Sequence, residues 1–426
     1  MMKTPHYKQY LEILKEELIP AMGCTEPIAI ALAAAKAREA LGMNPEQCKV
    51  KASGNIIKNV KAVTVPNTGG LKGIEVAAAA GIVAGRPSLD LEVLSRVSKE
   101  KINAIKAYLK SHEIETIPAL GDRLFLINVT VQAEGHTACC EIADYHTNIV
   151  LVQRDDEILF QSENSNIPDN EQLTDRSVLN VEEIVAFADC LDTVDVEVVL
   201  GRQIAYNTAI SKEGLEGSWG AEIGKTLRRL YGDHVAVRAK AAAAAGSDAR
   251  MSGCELPVVI VSGSGNQGMT TSLPVIEYAR DMEAGEDLLY RALTVANLIT
   301  IHQKTGIGRL SAFCGAVSAG CGAAAGIAYL KGGRFDVIAH TIANTLAICS
   351  GMVCDGAKPS CAAKIAAAVD AGLMGYYMYT NSGHEFMDGE GIIQKGVENT
   401  IRNVGRLARQ GMRQTDDEIL RIMSGK

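Results

Sequence analysis

Leu124-Phe-Leu-Ile-Asn-Val-Thr-Val-Gln132 is a short run of apolar and β-branched residues, and it reads as a strand. Thr137 to Ala143, Asn148 to Gln153 and Ile158 to Gln161 repeat that character at short intervals, and residues 47 to 54 supply an earlier strand. Successive short strands joined by turns predict an antiparallel sheet. A small domain of mixed structure is therefore expected over about 45–165, set within a helical remainder formed by 1–44 and 166–426. The fold class is α+β: a large, mostly α-helical domain that would carry the chemistry, and a smaller α+β domain with the sheet.

Outward from the strands, helical spacing takes over. Residues 5 to 18 and 27 to 41 read as helices, the second with Pro27 in its first turn, where the missing N–H is harmless, and Gly42 at its end. Another helix is expected over about 71–84, after Gly69 and Gly70, and two short ones over 88–111. Asn164 to Arg176, polar and holding Pro168, reads as a linker. From about 180 the chain reads as almost wholly helical. Glycine-rich breaks fall near 246, 263–268, 306–308, 351–359 and 381–391. Such breaks free backbone groups and are where sites are built.

Composition narrows the function. The 426 residues suggest two domains, and aromatics at 4% leave Ala, Val, Ile and Leu to fill the core. A formal net charge of −8 argues against nucleic acid or an anionic membrane as partner. Ser311 to Leu330 carries no charge, but it is mostly Ala, Gly and Ser, so it reads as a buried helix and no membrane span is expected. Met1 to Glu17 lacks the apolar core of a secretory signal. A cytoplasmic setting is expected, in which 11 cysteines point to metal binding or catalysis rather than a disulfide framework.

Several residues could carry chemistry. Cys24, in Ala-Met-Gly-Cys-Thr-Glu-Pro, lies just before a helix start, with Thr25 or Glu26 as the expected cap. The positive end of that helix would favour a thiolate able to act as nucleophile, metal ligand or base; a structural thiol is the other reading. Cys314, Cys354 and Cys361 are separated by 40 and 7 residues, with no C-x-x-C, so neither a zinc ribbon nor a bacterial ferredoxin pattern applies. Spacing alone leaves open a metal centre or buried thiols. The loop Gly351 to Pro359 could wrap a cluster.

Gly263-Ser-Gly265-Asn-Gln-Gly268 matches G-x-G-x-x-G, but no acid-tipped second strand follows about 20 residues on, as a dinucleotide site requires. Free N–H groups with Ser264, Gly265 and Asn266 suit a substrate carboxylate better. Asn67, Thr68 and Gly69 have the same character. His146 and His302 read as structural. Asp248 and Arg250 fit either a polar pair near the site or a simple salt bridge.

Gly23-Cys24-Thr25-Glu26-Pro27, Val65-Pro66-Asn67-Thr68-Gly69, His146-Thr147-Asn148-Ile149-Val150, Ser247-Asp248-Ala249-Arg250-Met251, Ser262 to Gly268 and Ser350 to Ala357 together closely resemble the L-cysteine desulfidase family, related to the α-chain of iron–sulfur L-serine dehydratases. The resemblance spans essentially the whole chain. It implies a [4Fe–4S] cluster with three cysteine ligands, Cys314, Cys354 and Cys361, and one open iron; Cys24 falls on the family's proton acceptor. The implied reaction is β-elimination of L-cysteine to sulfide, pyruvate and ammonia without pyridoxal phosphate, so the expected partner is a small amino-acid substrate. Elimination of water from L-serine and a non-catalytic redox sensor are the alternatives. A homodimer is expected by analogy.

Overall fold

The computed structural model describes residues 4–119, 121, 123–162, 173–386, 389 and 391–424. The first half interleaves helices α1 (Tyr7–Glu17), α2 (Thr25–Leu41), α3 (Gly54–Val60), α4 (Ile74–Ala84) and α5 (Lys99–Ser111) with strands β1 (Pro20–Met22), β2 (Gln47–Ala52), β3 (Ile114–Pro118), β4 (Leu126–Ala133), β5 (His136–Ala143), β6 (Ile149–Arg154) and β7 (Glu157–Gln161). The second half is helical apart from strand β8 (Pro257–Val259). Its helices are α6 (Val181–Cys190), α7 (Glu197–Glu216), α8 (Ile223–Tyr231), α9 (Val235–Met251), α10 (Gly265–Asp281), α11 (Glu286–Ile307), α12 (Gly315–Leu330), α13 (Phe335–Cys349), α14 (Cys361–Ser382), α15 (Val397–Arg406) and α16 (Arg413–Ser424). The α+β class read from the sequence is the observed one.

The six-stranded sheet has the order β3-β2-β4-β5-β6-β7. It is antiparallel except for β2 and β3, which pair in parallel, so the expected antiparallel sheet is in fact mixed. A parallel pair needs a long crossover, and α3, α4 and α5 supply it. Alternate residues of β2 and β4, among them Val50, Ala52, Ile127, Val129 and Val131, turn inward and are fully buried. Helix α2 packs on β4, β5 and β6 on one side and on α4 on the other. A helix enclosed in this way must be apolar all round, and Ile28 to Ala35 is a continuous buried run.

The helical half is built around α12, which packs against α10, α11, α13 and α14. This is the uncharged segment, and it is a buried helix as expected; no helix among the described residues is long and apolar enough to cross a membrane. Small residues allow near-backbone contact. A Cβ on Gly320 would stand 2.6 Å from the Ala368 carbonyl oxygen of α14. The expected break near 246 is absent, because Gly246 lies inside α9, packed against Met269. The other breaks coincide with helix ends or loops. Most of the expected linker, 164–172, lies outside the described residues, as do 387, 388 and 390 of the last break.

Strands β1 and β8 pair antiparallel, Ala21 opposite Val258. This clasp fixes the start of α2 beside the start of α10.

The contact between α2 and α4 depends on Gly81, where a Cβ would lie 2.2 Å from the Ala31 carbonyl oxygen. In an open helix Gly→Ala stabilises by up to about 1 kcal/mol. Gly81→Ala should instead destabilise, by roughly 1–3 kcal/mol, as an overpacked core does. Urea denaturation measures the sign directly.

Candidate active site

Cys314 and Cys354 are brought together by backbone pairing. Cys314 N–H donates to the Met352 carbonyl at 3.0 Å and Cys354 N–H to that of Ala312 at 2.7 Å, flanking an antiparallel bridge between Phe313 and Val353. Cys314 is the N-cap of α12, and Cys361 is the first residue of α14. The loop between Cys354 and Cys361 is tied down by charge. Lys364 Nζ donates to the Val353 carbonyl at 2.9 Å and to Asp355 at 2.6 Å, and Lys358 also pairs with Asp355. Beneath it the buried Lys58 ammonium lies 2.5 Å from Asp416 and 3.4 Å from the Cys354 carbonyl; Asp416 also accepts the Ala312 N–H at 3.0 Å.

The three cysteines line one cavity of about 760 Å³, counting its open mouth. Cys24 lines the same cavity, with Ser264 and Asn266. Burial pushes the Cys314 thiol up to about 12, with Cys354 adding to the shift, and burial raises Cys361 as well. Free of metal, Cys314 and Cys361 are therefore protonated thiols. A bound cationic centre would draw off the protons, and the N-terminal ends of α12 and α14 favour the thiolates that result. All-sulfur donors suit zinc, copper(I) or iron–sulfur centres. Among the described residues no group of three or more His, Cys, Asp and Glu is set for a single metal ion. The donors surround a space.

Cys24 itself, rather than Thr25 or Glu26, is the N-cap of α2. Its S–H donates to Glu26 Oε2 at 3.1 Å, while the Asn59 amide donates to Oε1 at 3.0 Å. The Thr25 hydroxyl reaches the Gly263 carbonyl at 2.9 Å, joining the two helix starts. Burial, with Glu26 adding to it, raises the Cys24 thiol well above its ordinary range against a smaller opposing pull from Arg250. The helix terminus thus fails to produce the expected resting thiolate. Burial alone would also raise Glu26, but His146, the Cys24 bond and a backbone N–H together hold it below the usual carboxylate range. His146 is itself pushed down to about 4 by burial. Its ring is therefore neutral at pH 7, so the Cys24 bond, the backbone N–H and the Arg250 guanidinium are left to hold Glu26 down.

The glycine-rich segment forms the other wall. Ser264 caps α10, and Arg250 donates from Nε to the Gly23 carbonyl at 2.8 Å and from Nη1 to Asn266 Oδ1 at 3.1 Å. At Gly268 a Cβ would lie 1.9 Å from the Val259 carbonyl oxygen, so glycine seats α10 on β8. That strand pairs with β1, antiparallel, which is no dinucleotide-binding arrangement. Asp248 does not pair with Arg250. It accepts N–H groups of Ala221 and Ile223 at the start of α8, and burial raises it to about 6.

Asn67, Thr68 and Gly69 are not among the residues lining the cavity, and neither is Gly265. Asn67 donates to the Leu94 carbonyl at 2.7 Å, tying the loop to a distant segment, and Thr68 donates to that of Val65 at 2.7 Å, closing its own turn. The loop acts as a buttress: Pro66 packs on Gly23, beside Cys24.

Sequence reasoning missed five contributors, Asn55, Lys58, Asn59, Lys304 and Arg309. Asn55, Lys58 and Asn59 line the cavity from α3, where spacings of three and four put polar groups on one face of a short helix. Lys304 lines it from α11; burial lowers its ammonium to about 8 against the opposing pull of Cys354 and Cys314. Arg309 follows that helix. His146 is buried, with Nε2 unpartnered and its ring edge-on to Phe125 at 4.8 Å. His302 is structural as expected, 2.7 Å from Glu398.

Fold and site define a helical α+β protein with a four-cysteine pocket, and comparison with known proteins gives its family. Residues 88–421 match the serine dehydratase alpha chain family, and the chain belongs to it. It is 58% identical to a UPF0597 protein of Desulfitobacterium hafniense, over 98% of this chain and 97% of the relative. A UPF0597 protein of Lachnoclostridium phytofermentans is 49% identical over 98% and 99%, and one of Finegoldia magna 49% over 98% and 100%.

The neutral His146 makes stability fall with acid. Its folded pKa of about 4 lies below the ordinary value of 6.5, so unfolding takes up a proton between those limits. Full stability is present above pH 6.5, and about 3 kcal/mol should be lost as pH falls to 4. His146→Gln should lack that portion of the slope in denaturation curves taken at pH 7, 5.5 and 4.5.

Proposed function

We propose that this protein is an iron–sulfur lyase that eliminates sulfide from L-cysteine, and that the product enamine hydrolyses to pyruvate and ammonia. The observation that carries the reading is the convergence of Cys24, Cys314, Cys354 and Cys361 on one cavity. Membership of the serine dehydratase alpha chain family supports a lyase of dehydratase type. Cys314, Cys354 and Cys361 would hold a [4Fe–4S] cluster with one iron lacking a protein ligand. When bound, the cluster supplies a Lewis acid that stabilises the departing negative charge.

The chain's own residues do the rest. Cys24 passes its thiol proton to Glu26 Oε2 along the 3.1 Å bond and, as the thiolate so formed, takes the substrate α-proton at Sγ, a general-base role worth about 10²–10⁴-fold. Glu26 holds that sulfur in place through the 3.1 Å bond, and Asn59 holds Glu26. Ser264, Asn266 and the free N–H groups at the start of α10 bind the carboxylate, with Arg250 fixing Asn266. The 11 free cysteines support a reducing, cytoplasmic setting. Elimination of water from L-serine at the same groups is the second reading, favoured by the family description. The ratio of kcat/KM for cysteine and serine decides between them.

Protein prepared without oxygen should be brown and hold about four irons per chain. Cys354→Ser should lose iron and turnover together. Cys24→Ala should keep its iron and lose turnover by about 10²–10⁴-fold. Colourless protein that releases sulfide or pyruvate refutes the cluster, and turnover surviving in Cys24→Ala removes Cys24 from the proton-transfer step.

A further inference from the structure

We propose that an arginine-lined vestibule beside the four-cysteine cavity captures the carboxylate of an incoming amino acid. The substrate class rests on the function proposed above; the vestibule itself rests on geometry. A second cavity shares Lys304 and Arg309 with the first and adds Arg176, Arg409 and Glu17. A third, wider pocket shares Arg309 and Arg409 with the second and adds Arg123 and Arg413, facing Asp144. Shared side chains make the three spaces neighbours in series, with Arg309 on the wall of each.

The charge of this region runs against the rest of the chain, which is net −8. Arg409 stands on a π-helical turn, Leu407–Gly411, and Arg413 opens α16; both are exposed. Among the described residues neither forms an ion pair, whereas surface arginines elsewhere, such as Arg228, Arg238 and Arg291, are paired. Glu17 is committed to Arg176 at 3.0 Å and to Arg309 at 3.2 Å. Its second oxygen, Oε2, is buried with no partner. Cations in excess beside one unsatisfied carboxylate oxygen complement an α-carboxylate next to an α-ammonium. A concave wall on which one sign of charge predominates also raises the local concentration of such a ligand, by 10- to about 10³-fold.

The test uses the iron-loaded protein and two surface variants, Arg409→Glu/Arg413→Glu and the milder Arg409→Gln/Arg413→Gln. L-Alanine, which has no leaving group, is the binding probe; propionate lacks the ammonium and ethylamine the carboxylate. Calorimetry should show L-alanine and propionate binding, ethylamine not, and affinity for L-alanine falling about tenfold or more in the Glu pair and less in the Gln pair. In turnover, kcat/KM should fall by a similar factor with kcat within about twofold, and its decline between 0.05 and 0.5 M salt, expected from a Debye length of about 10 Å at 0.1 M, should flatten in the Glu pair. Unchanged alanine affinity in both variants, or ethylamine binding as well as propionate, overturns the vestibule. If alanine binding depends on Arg409 and Arg413 but no substrate is turned over, the vestibule stands and the proposed reaction falls. If cysteine turns over with kcat/KM indifferent to salt and to both variants, the reverse holds.

Discussion

Everything in this molecule depends on helices approaching to backbone distance. With aromatics at 4%, the core has few large side chains to span gaps, and Gly and Ala let main chains nearly touch. Gly81 against Ala31 sets α2 on α4, and Gly320 against Ala368 sets α12 on α14. Three of these helices, α2, α12 and α14, begin at Cys24, Cys314 and Cys361. Side-chain packing at longer range would leave those termini free to shift by an ångström; backbone contact does not. The precision of the pocket is therefore inherited from alanine and glycine far from it.

A second constraint is electrostatic. The pocket holds one carboxylate, Glu26, among Lys58, Arg250, Lys304, Arg309 and Lys364. Lys58, Lys364 and Arg309 have carboxylate partners in Asp416, Asp355 and Glu17, so it is Arg250 and Lys304 that leave positive charge for an anion to balance. Three thiolates around a metal centre, or the carboxylate of a substrate, would answer that need. The metal-free state answers it only in part, by lowering Lys304 to about 8.

The strands of the meander were legible because side chains alternate with period two and the turns are short. Strand β3 was not: Ile114 to Pro118 is brief, ends in proline, and pairs in parallel with a strand across residues 53 to 113. The cysteines that line the cavity were named from sequence, but their meeting depends on backbone pairing between residues 312–314 and 352–354, which no local pattern reports. The state of Cys24 was misjudged for a definite reason. The helix terminus is a local feature, whereas burial and the carboxylate two residues on outweigh it. Lys304 and His146 look ordinary in sequence because only tertiary burial makes them unusual. Asn67 and Thr68 have the composition of a ligand-binding loop but spend their side chains on structure, Asn67 on the distant Leu94 carbonyl and Thr68 on its own turn.

The single Asp416 carboxylate grips both the Lys58 ammonium and the Ala312 N–H. This joins the last described helix to α3 and to the segment that carries Cys314. Lys58 in turn reaches Cys354. Four points spread across more than three hundred residues close on one another beside the cysteines. Loop closure over such spans is slow compared with helix formation. Backbone pairing alone can bring Cys314 to Cys354, but Lys58 and the Ala312 N–H gain their shared carboxylate only once α16 docks, so the pocket is completed by the far end of the chain.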